Sequence, residues 1–208
     1  MKINKFNKGI LYSSSGSFFW GFLGTYYFQF ITIIGTFEVV VHRSIWTCAI
    51  LFITTLFFKK WHLFNQIISN KKSLFILFIT GLLIFSNWTL WIYAVSTNRI
   101  IDASFGYFIF PIISVFFGYI FLKENLNNKR IISILLVLIA IFYLIINLST
   151  VPWIGVSVAL LWSIYNLLRK KINVDADVGL LVESLFVLPI ALVFLYFIVQ
   201  SGDNDFSI

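Results

Sequence analysis

The chain has 208 residues, of which 60% are hydrophobic, 20% aromatic and only 11% charged. Soluble domains carry about 25% charged residues, so these side chains cannot cover a water-facing surface, and the composition excludes a soluble globular protein. The net charge of +7 comes with a single cysteine, Cys48, which excludes a disulfide framework.

Seven apolar runs are long enough to cross about 30 Å of hydrocarbon as helices. In chain order, the predicted spans are Gly9–Phe30, Phe37–Phe58, Ser73–Ser96, Ala103–Leu122, Ile131–Leu148, Pro152–Leu168 and Val178–Gln200. The connections between them are short, which leaves no room for a separate soluble domain. The sequence therefore predicts an all-α polytopic membrane protein whose surface contacts the lipid bilayer.

The first predicted span has a basic start and a long apolar run, and no small-residue cleavage site follows it. We interpret it as an uncleaved helix and not as a signal peptide. Small and polar residues recur in it at helical spacing, at Ser13, Ser17, Gly21 and Thr25. Such a ladder favours close helix packing.

The second predicted span contains charged and titratable side chains near its outer end. Glu38 and His42 are four residues apart and share a face, and Arg43 lies beside them. Charges inside a span are costly and indicate function by default. Two interpretations of Arg43 stay open: it lines a substrate pathway, or it extends its head group to the outer interface.

The third predicted span contains the segment "NWTLW", with Asn87 and Trp91 on one face. An amide deep in a span needs hydrogen-bond partners, so Asn87 is either a bond between helices or a substrate contact. The same two interpretations apply to Asn166, which follows Tyr165 in the sixth span.

The fourth predicted span carries a stripe of small and polar residues, which are Ser104, Tyr107, Pro111, Ser114 and Gly118. Pro111 cannot donate to the carbonyl of Tyr107, and an unpaired carbonyl in lipid costs several kcal/mol. The stripe is therefore expected to face protein or a water-filled cavity, and both interpretations stay open. At the start of this span, Asp102 is predicted to cap the free amides of its own helix.

The fifth predicted span has no polar face and is expected to contact lipid. The seventh contains Glu183, whose sign is opposite to that of Arg43. Arg43 lies about 9 Å from the outer side and Glu183 about 8 Å from the inner side, so the two stay about 13 Å apart in a core of about 30 Å. Each charge is therefore assigned to one side of the pathway and not to a shared salt bridge.

Lysine and arginine residues concentrate in alternate connections. The N-terminal segment and the loops after the second, fourth and sixth spans hold 13 of the 15. The positive-inside rule then predicts a cytoplasmic N-terminus and an external C-terminal tail. This pattern explains the basic charge without a nucleic-acid partner.

A weak internal repeat relates the first two spans to the last two. Trp20 aligns with Trp162, and the segment His42–Ser44 aligns with Val182–Ser184. The repeat unit is five helices, and an odd number inverts the second copy, as in secondary transporters. Residues 1–148 would then form the first repeat, and residues 149–208 the first two helices of a second. We expect a truncated chain that lacks helices eight to ten, with a natural seven-helix protein as the alternative.

Three motifs, "HRSIW", "NWTLWIYAV" and "DASFGYFIFPIISVFFGYIFLKE", resemble the RarD branch of the EamA family in the drug/metabolite transporter superfamily. The resemblance implies two inverted five-helix repeats, a bacterial inner membrane location, and export or exchange of small organic molecules. The RarD name also implies a link to chloramphenicol sensitivity. It implies no cofactor, and a homodimer stays open. The candidate substrate-pathway residues are Trp20, Glu38, His42, Arg43, Asn87, Trp91, Ser104, Tyr107, Pro111, Ser114, Asn166 and Glu183.

Other classes of function lack their motifs. The sequence contains no H-E-x-x-H, no G-x-S-x-G and no aspartate pair within a span, and His42 and His62 lie in different segments. Neither catalysis nor a metal site is therefore predicted. A seven-helix receptor or a non-transporting scaffold remains the alternative, although the seventh span has no lysine to hold retinal. No P-loop is present, so a transporter would use a gradient or an exchanged substrate.

Overall fold

The computed structural model describes residues 5–24, 26–27, 34–147, 152–202 and Asp205. Within these ranges the protein is helical and has no strand. The helices are α1 Lys5–Phe19, α2 Thr36–Phe57, α3 Trp61–Ser69, α4 Lys71–Ser96, α5 Ile100–Leu122, α6 Asn128–Asn147, α7 Trp153–Lys170 and α8 Ala176–Ser201. A π-helical segment, Trp20–Gly24, continues α1. The predicted all-α class is confirmed.

Helices α2, α4, α5 and α8 are long and apolar enough to cross a membrane. They coincide with the second, third, fourth and seventh predicted spans. Helices α1, α6 and α7 overlap the other three and each extends beyond its predicted span at one end. Thr25 and residues 28–30 of the first span and Leu148 of the fifth are outside the described residues. Large apolar side chains point outwards, and Phe57 and Ile101 are 80% and 82% exposed. Such a surface fits a multi-pass protein surrounded by lipid.

The connection after the second predicted span contains a helix that the sequence analysis missed. Helix α3 buries Ile67 against Leu77 of α4 and Val178 of α8. The segment is short, and its lysines made it look like a plain cytoplasmic loop. Its apolar side nevertheless packs against both α4 and α8 near the starts of these two helices.

Two of the spanning helices begin at side-chain caps. The Asn70 side chain accepts hydrogen bonds from the backbone N–H groups of Lys72 and Ser73 at the start of α4. The Asp175 carboxylate does the same for Asp177 and Val178 at the start of α8. These bonds satisfy amides that a helix leaves free in its first turn.

Helix α7 packs against both α4 and α5. Gly106 of α5 and Gly155 of α7 meet where the helices cross. A Cβ on Gly106 would lie 2.6 Å from the carbonyl oxygen of Gly155, so a larger residue would force the helices apart. Small residues at a crossing let two backbones approach in this way.

Asp102 stabilises a different helix from the one that the sequence analysis expected. Its carboxylate pairs with Arg99 and accepts a hydrogen bond from the backbone N–H of Gly155, at 3.2 Å. The prediction that it caps its own helix was incomplete: Asp102 lies in the first turn of α5, but its bond goes to the first turn of α7. The close crossing of α5 and α7 brings that free amide within reach.

Helices α2 and α8 are antiparallel neighbours joined at both ends. At one end the Lys60 ammonium contacts Asp175 at 3.2 Å and Asp177 at 2.8 Å. At the other, the backbone N–H of Asp205 donates to the Glu38 carboxylate at 2.8 Å. Hydrogen bonds to Asp177 and Asp175 raise the pKa of Lys60, which stays charged at neutral pH. An inverted repeat would place its two second helices in this antiparallel way.

Candidate functional site

A cavity of about 330 Å³ lies among the π-segment of the first helix, α2, α4, α5 and α7. Its walls are aromatic and apolar, with one cationic side chain and one amide. The lining residues are Trp20, Arg43, Asn87, Trp88, Trp91, Tyr107, Val158 and Trp162. The structure thus brings together five of the residues singled out from sequence, and adds Trp88, Val158 and Trp162.

The guanidinium of Arg43 lies against indole rings. It is 4.3 Å from the centre of the Trp88 ring and 5.9 Å from that of Trp20. Both contacts fall within the range of a cation–π interaction. Trp91 and Tyr107 meet edge to face at 5.4 Å on another part of the wall. The site therefore combines a positive charge with several aromatic surfaces.

The lining residues lie at one level along their helices. Arg43 and Tyr107 are seven residues after the starts of α2 and α5, Val158 is five after the start of α7, and Trp91 is five before the end of α4. At 1.5 Å per residue these positions are about 8–11 Å from the helix ends. These ends lie together at one side of the helix bundle, since Thr36 contacts Ser96 and Asp102 contacts Gly155. The positive-inside rule predicts that this side is the outer one.

Asn87 connects two helices. Its side-chain amide donates to the backbone carbonyl of Val158 at 3.2 Å, and the residue is buried. Its side chain also lines the cavity. The two interpretations of Asn87 are thus compatible, since it holds α7 beside α4 and forms part of the wall.

Glu183 occupies a separate buried cluster. The Thr80 hydroxyl donates to one carboxylate oxygen at 2.6 Å, the Tyr165 hydroxyl donates to the other at 3.2 Å, and Arg169 is 3.6 Å away. Thr80 and Trp88 are eight residues apart on α4, which corresponds to about 12 Å. The carboxylate of Glu183 therefore pairs with Arg169 and lies about two turns below the Arg43 cavity.

The stripe residues on α5 face different parts of the structure. Tyr107 lines the Arg43 cavity. Ser114 faces α7, where its hydroxyl is 3.4 Å from that of Ser163. Pro111 lines a crevice of about 540 Å³ between α5 and α6, which opens beside polar loop residues such as Asn127. Ser104 is half-buried.

The remaining sequence-derived candidates lie outside the Arg43 cavity. The Asn166 amide donates to the carbonyl of Trp162 in its own helix at 2.7 Å and lines a small groove beside Ser114. Glu38 is buried at the start of α2, and His42 is half-buried one turn later. In the described ranges, no three His, Cys, Asp or Glu side chains come together as a metal site.

Comparison with known proteins accounts for this architecture. A model of the EamA-like transporter family matches residues 7–146, which is more than half of the chain. The chain belongs to the EamA-like transporter family. The family is one of transporters. No solved structure matches the chain.

Several curated bacterial proteins are similar to this EamA-like chain, and some of them are named transporters. An "Uncharacterized transporter" of Vibrio cholerae is 30% identical over 97% of the chain and 66% of the relative. "Protein RarD" of Escherichia coli is 29% identical over 100% of the chain and 72% of the relative. A "Chloramphenicol-sensitive protein RarD" of Pseudomonas aeruginosa is 26% identical over 81% of the chain and 56% of the relative. The chain spans about two thirds of the length of the first two, and it resembles the RarD type within the family.

Proposed function

We propose that this chain supplies the substrate site of a secondary transporter that moves a small organic metabolite or drug across the bacterial inner membrane. The observation that carries the proposal is the Arg43 cavity, which five chain segments line inside the apolar layer. Ligand sites of this kind are concave and mostly apolar with a few polar groups, and transporters place them between helices within the membrane.

The two charges inside the predicted spans, Arg43 and Glu183, support a pathway with two sides. Arg43 lies at the outer level and Glu183 at the inner level, and the described structure gives them different neighbours. In the proposed orientation the N-terminus is cytoplasmic and the C-terminal tail external. The packing of Glu183 between α4, α7 and α8 would then close the cytoplasmic side below the cavity.

The transport proposal is tested in lipid vesicles. The chain is purified alone and as a chimera extended by the part of E. coli RarD beyond the matched region, and both are checked for monodispersity. Vesicles are loaded with 2-naphthoate, chloramphenicol or 2-naphthylmethylamine, and solute loss is compared with that from protein-free vesicles. We expect saturable loss of at least one solute through the chimera and none through the 208-residue chain alone.

A variant of the chimera tests the role of the cavity. Arg43→Lys keeps the positive charge but loses the planar fork that binds anionic groups through two bonds. We expect normal insertion and at least about tenfold slower loss of the transported solute, since bonds to a charged group are strong. Arg130→Lys, at an exposed position on α6, is the matched control. Binding without flux by a well-folded chimera would instead favour a receptor or a scaffold.

A further inference from the structure

Among the described residues, no acidic side chain forms an ion pair with Arg43. The ion pairs among the described residues use Lys60, Arg99, Arg169 and Lys170 as their cations. No carboxylate in the described part of the chain lies within ion-pairing distance of Arg43. Buried charges in proteins are normally paired, so an unmatched cation inside a cavity favours an anionic partner.

The nearby acidic residue on α2 is directed elsewhere. Glu38 is five positions before Arg43, and its carboxylate accepts a hydrogen bond from the backbone N–H of Asp205 at 2.8 Å. The groups around the guanidinium are the rings of Trp20 and Trp88 and the side chain of Tyr107, and none of them is a carboxylate. The cavity therefore presents a net positive charge.

The guanidinium of Arg43 contacts an aromatic ring, which accepts no hydrogen bond from its fork of donors. Its Cζ lies over the Trp88 ring, 4.3 Å from the ring centre. The N–H groups of a guanidinium point outward in its own plane, and their fork matches the two oxygens of a carboxylate. A cation–π contact holds the cation without engaging this fork. Arg43 therefore suits a planar anionic group.

The rest of the wall selects for a flat apolar body. Trp91, Tyr107 and Trp162 line the cavity together with Val158. Aromatic surfaces favour stacked or edge-to-face contacts with a flat ring. The volume of about 330 Å³ is near the lower end of ligand cavities, which span roughly 300–1,000 Å³, so the ligand is small.

We propose that this cavity binds a small organic anion, with its carboxylate on the guanidinium of Arg43 and a flat apolar body enclosed by the tryptophan rings. The proposal rests on the proposed function in taking this cavity as the substrate site. The rival ligand is an organic cation, because aromatic walls alone also attract cations. Arg43 decides between the two, since it repels a cation and attracts an anion.

Binding to the intact 208-residue chain in lipid nanodiscs is measured by equilibrium dialysis with matched probes. The probes are 2-naphthoate, its neutral analogue 2-naphthamide, and the cation 2-naphthylmethylamine, which share one ring system. Acetate serves as an anion without the flat body. We expect 2-naphthoate to bind about tenfold or more tightly than either ring analogue, and acetate not to compete at equal concentration.

Two variants test whether 2-naphthoate binds at Arg43. Arg43→Lys should weaken 2-naphthoate binding about tenfold and leave 2-naphthamide binding little changed, because only the bidentate contact is lost. Arg130→Lys makes the same chemical change outside the cavity and should alter neither. Tighter binding of the cation or the amide, no binding of 2-naphthoate, or equal effects of the two variants would each overturn the proposal.

The binding and flux measurements separate the two proposals. Anion-selective binding without flux would support the organic anion as the ligand class and contradict the transport proposal. Flux of chloramphenicol or of the amine, with no preference for 2-naphthoate, would support the transport proposal and contradict the proposal that the ligand is an organic anion. The binding assay does not depend on the RarD extension, so failure of the chimera leaves it unaffected.

Discussion

The carboxylate of Glu183 is fully buried in α8, with donors from α4 and α7 around it. Arg169 is close enough for an ion pair, and one of its guanidinium nitrogens, Nη1, is itself buried without a hydrogen-bond partner among the described residues. Gly179 lies directly against the guanidinium, where any side chain would collide with it. The pair is thus a tightly enclosed charge cluster whose members depend on each other.

Removing one charge of the Arg169–Glu183 pair should lower the stability of the protein more than removing both charges. Arg169→Met leaves a buried carboxylate without its counter-charge, which costs about 3–5 kcal/mol of stability in a buried pair. We expect the midpoint of thermal unfolding in detergent, followed by size-exclusion chromatography after heating, to fall by about 5 °C or more. Adding Glu183→Gln should recover part of this loss, because the buried negative charge is then removed.

Lys170→Met is the matched control for this prediction. It removes a neighbouring positive charge whose side chain is 62% exposed and pairs with Glu124 at the surface. Exposed pairs contribute about 0–1 kcal/mol, so its unfolding midpoint should stay near that of the unchanged chain. Equal midpoints for Arg169→Met and Lys170→Met would show that the Glu183 cluster contributes no more than a surface pair.

Sequence reasoning found individual polar residues more readily than their partners. Arg43 and Glu183 could be identified directly, because a charged side chain inside a membrane span is energetically costly. Arg169 was counted only among the charges that orient the chain, because its contact with Glu183 forms only when α7 and α8 both pack against α4. Trp162 had an available signal in its repeat match to Trp20, and Trp88 in its position next to Asn87.

At the scale of elements, the crossing of α5 and α7 depends on two glycines. Gly155→Ala would place a methyl group against the carbonyl oxygen of Asp102, and backbone atoms cannot move aside cheaply. We expect this variant to lower the thermal midpoint and to weaken 2-naphthoate binding, because α5 and α7 both line the cavity. The loss should be about 1–3 kcal/mol, as for other overpacked sites.

Gly16→Ala, on α1, makes the same change where no atom lies within 4 Å of the added methyl group. Alanine favours a helix over glycine by about 1 kcal/mol, so its midpoint should stay equal or rise slightly. A Gly155→Ala variant as stable as Gly16→Ala would contradict the close approach of α5 and α7.

The helical stripe on α5 shows how far periodicity can predict a site. Tyr107 lines the Arg43 cavity, Ser114 faces α7 and Pro111 lines the crevice beside α6, so these residues face protein or a cavity in three different directions. Phe105, which is not part of the stripe, is buried as well. Helix α5 has α4, α6 and α7 as neighbours, so more than one of its faces is covered, and a single-helix pattern cannot show this.

At the scale of the whole molecule, the orientation in the membrane follows from the distribution of positive charge. We predict that, in a Cys48→Ser background in intact cells, Ser201→Cys at the end of α8 reacts with a membrane-impermeant thiol reagent. Lys71→Cys at the start of α4 should react only after permeabilisation. Both positions are exposed, so accessibility of the side chain does not limit the reaction. The reverse labelling pattern would invert the predicted orientation.

The spans themselves were predictable because about 30 Å of hydrocarbon imposes a minimum length on each apolar run. Helix α7 is the instructive exception among them. It has 18 residues, ends in Arg169 and Lys170, and packs against protein on two sides, so it needs less apolar surface than α8 does. Its interior position depends on the contacts of α4 and α5, which a hydropathy pattern does not contain.

The joining of α2 to α8 at both ends has a mechanical consequence. A sliding or tilting motion between these two helices would break the Lys60 contacts at one end or the Asp205 bond at the other. These contacts therefore oppose shear between α2, which carries Arg43, and α8, which carries Glu183. A change in the width of the cavity that keeps these contacts would have to come from the π-helical segment, α4, α5 or α7, which supply the rest of its lining.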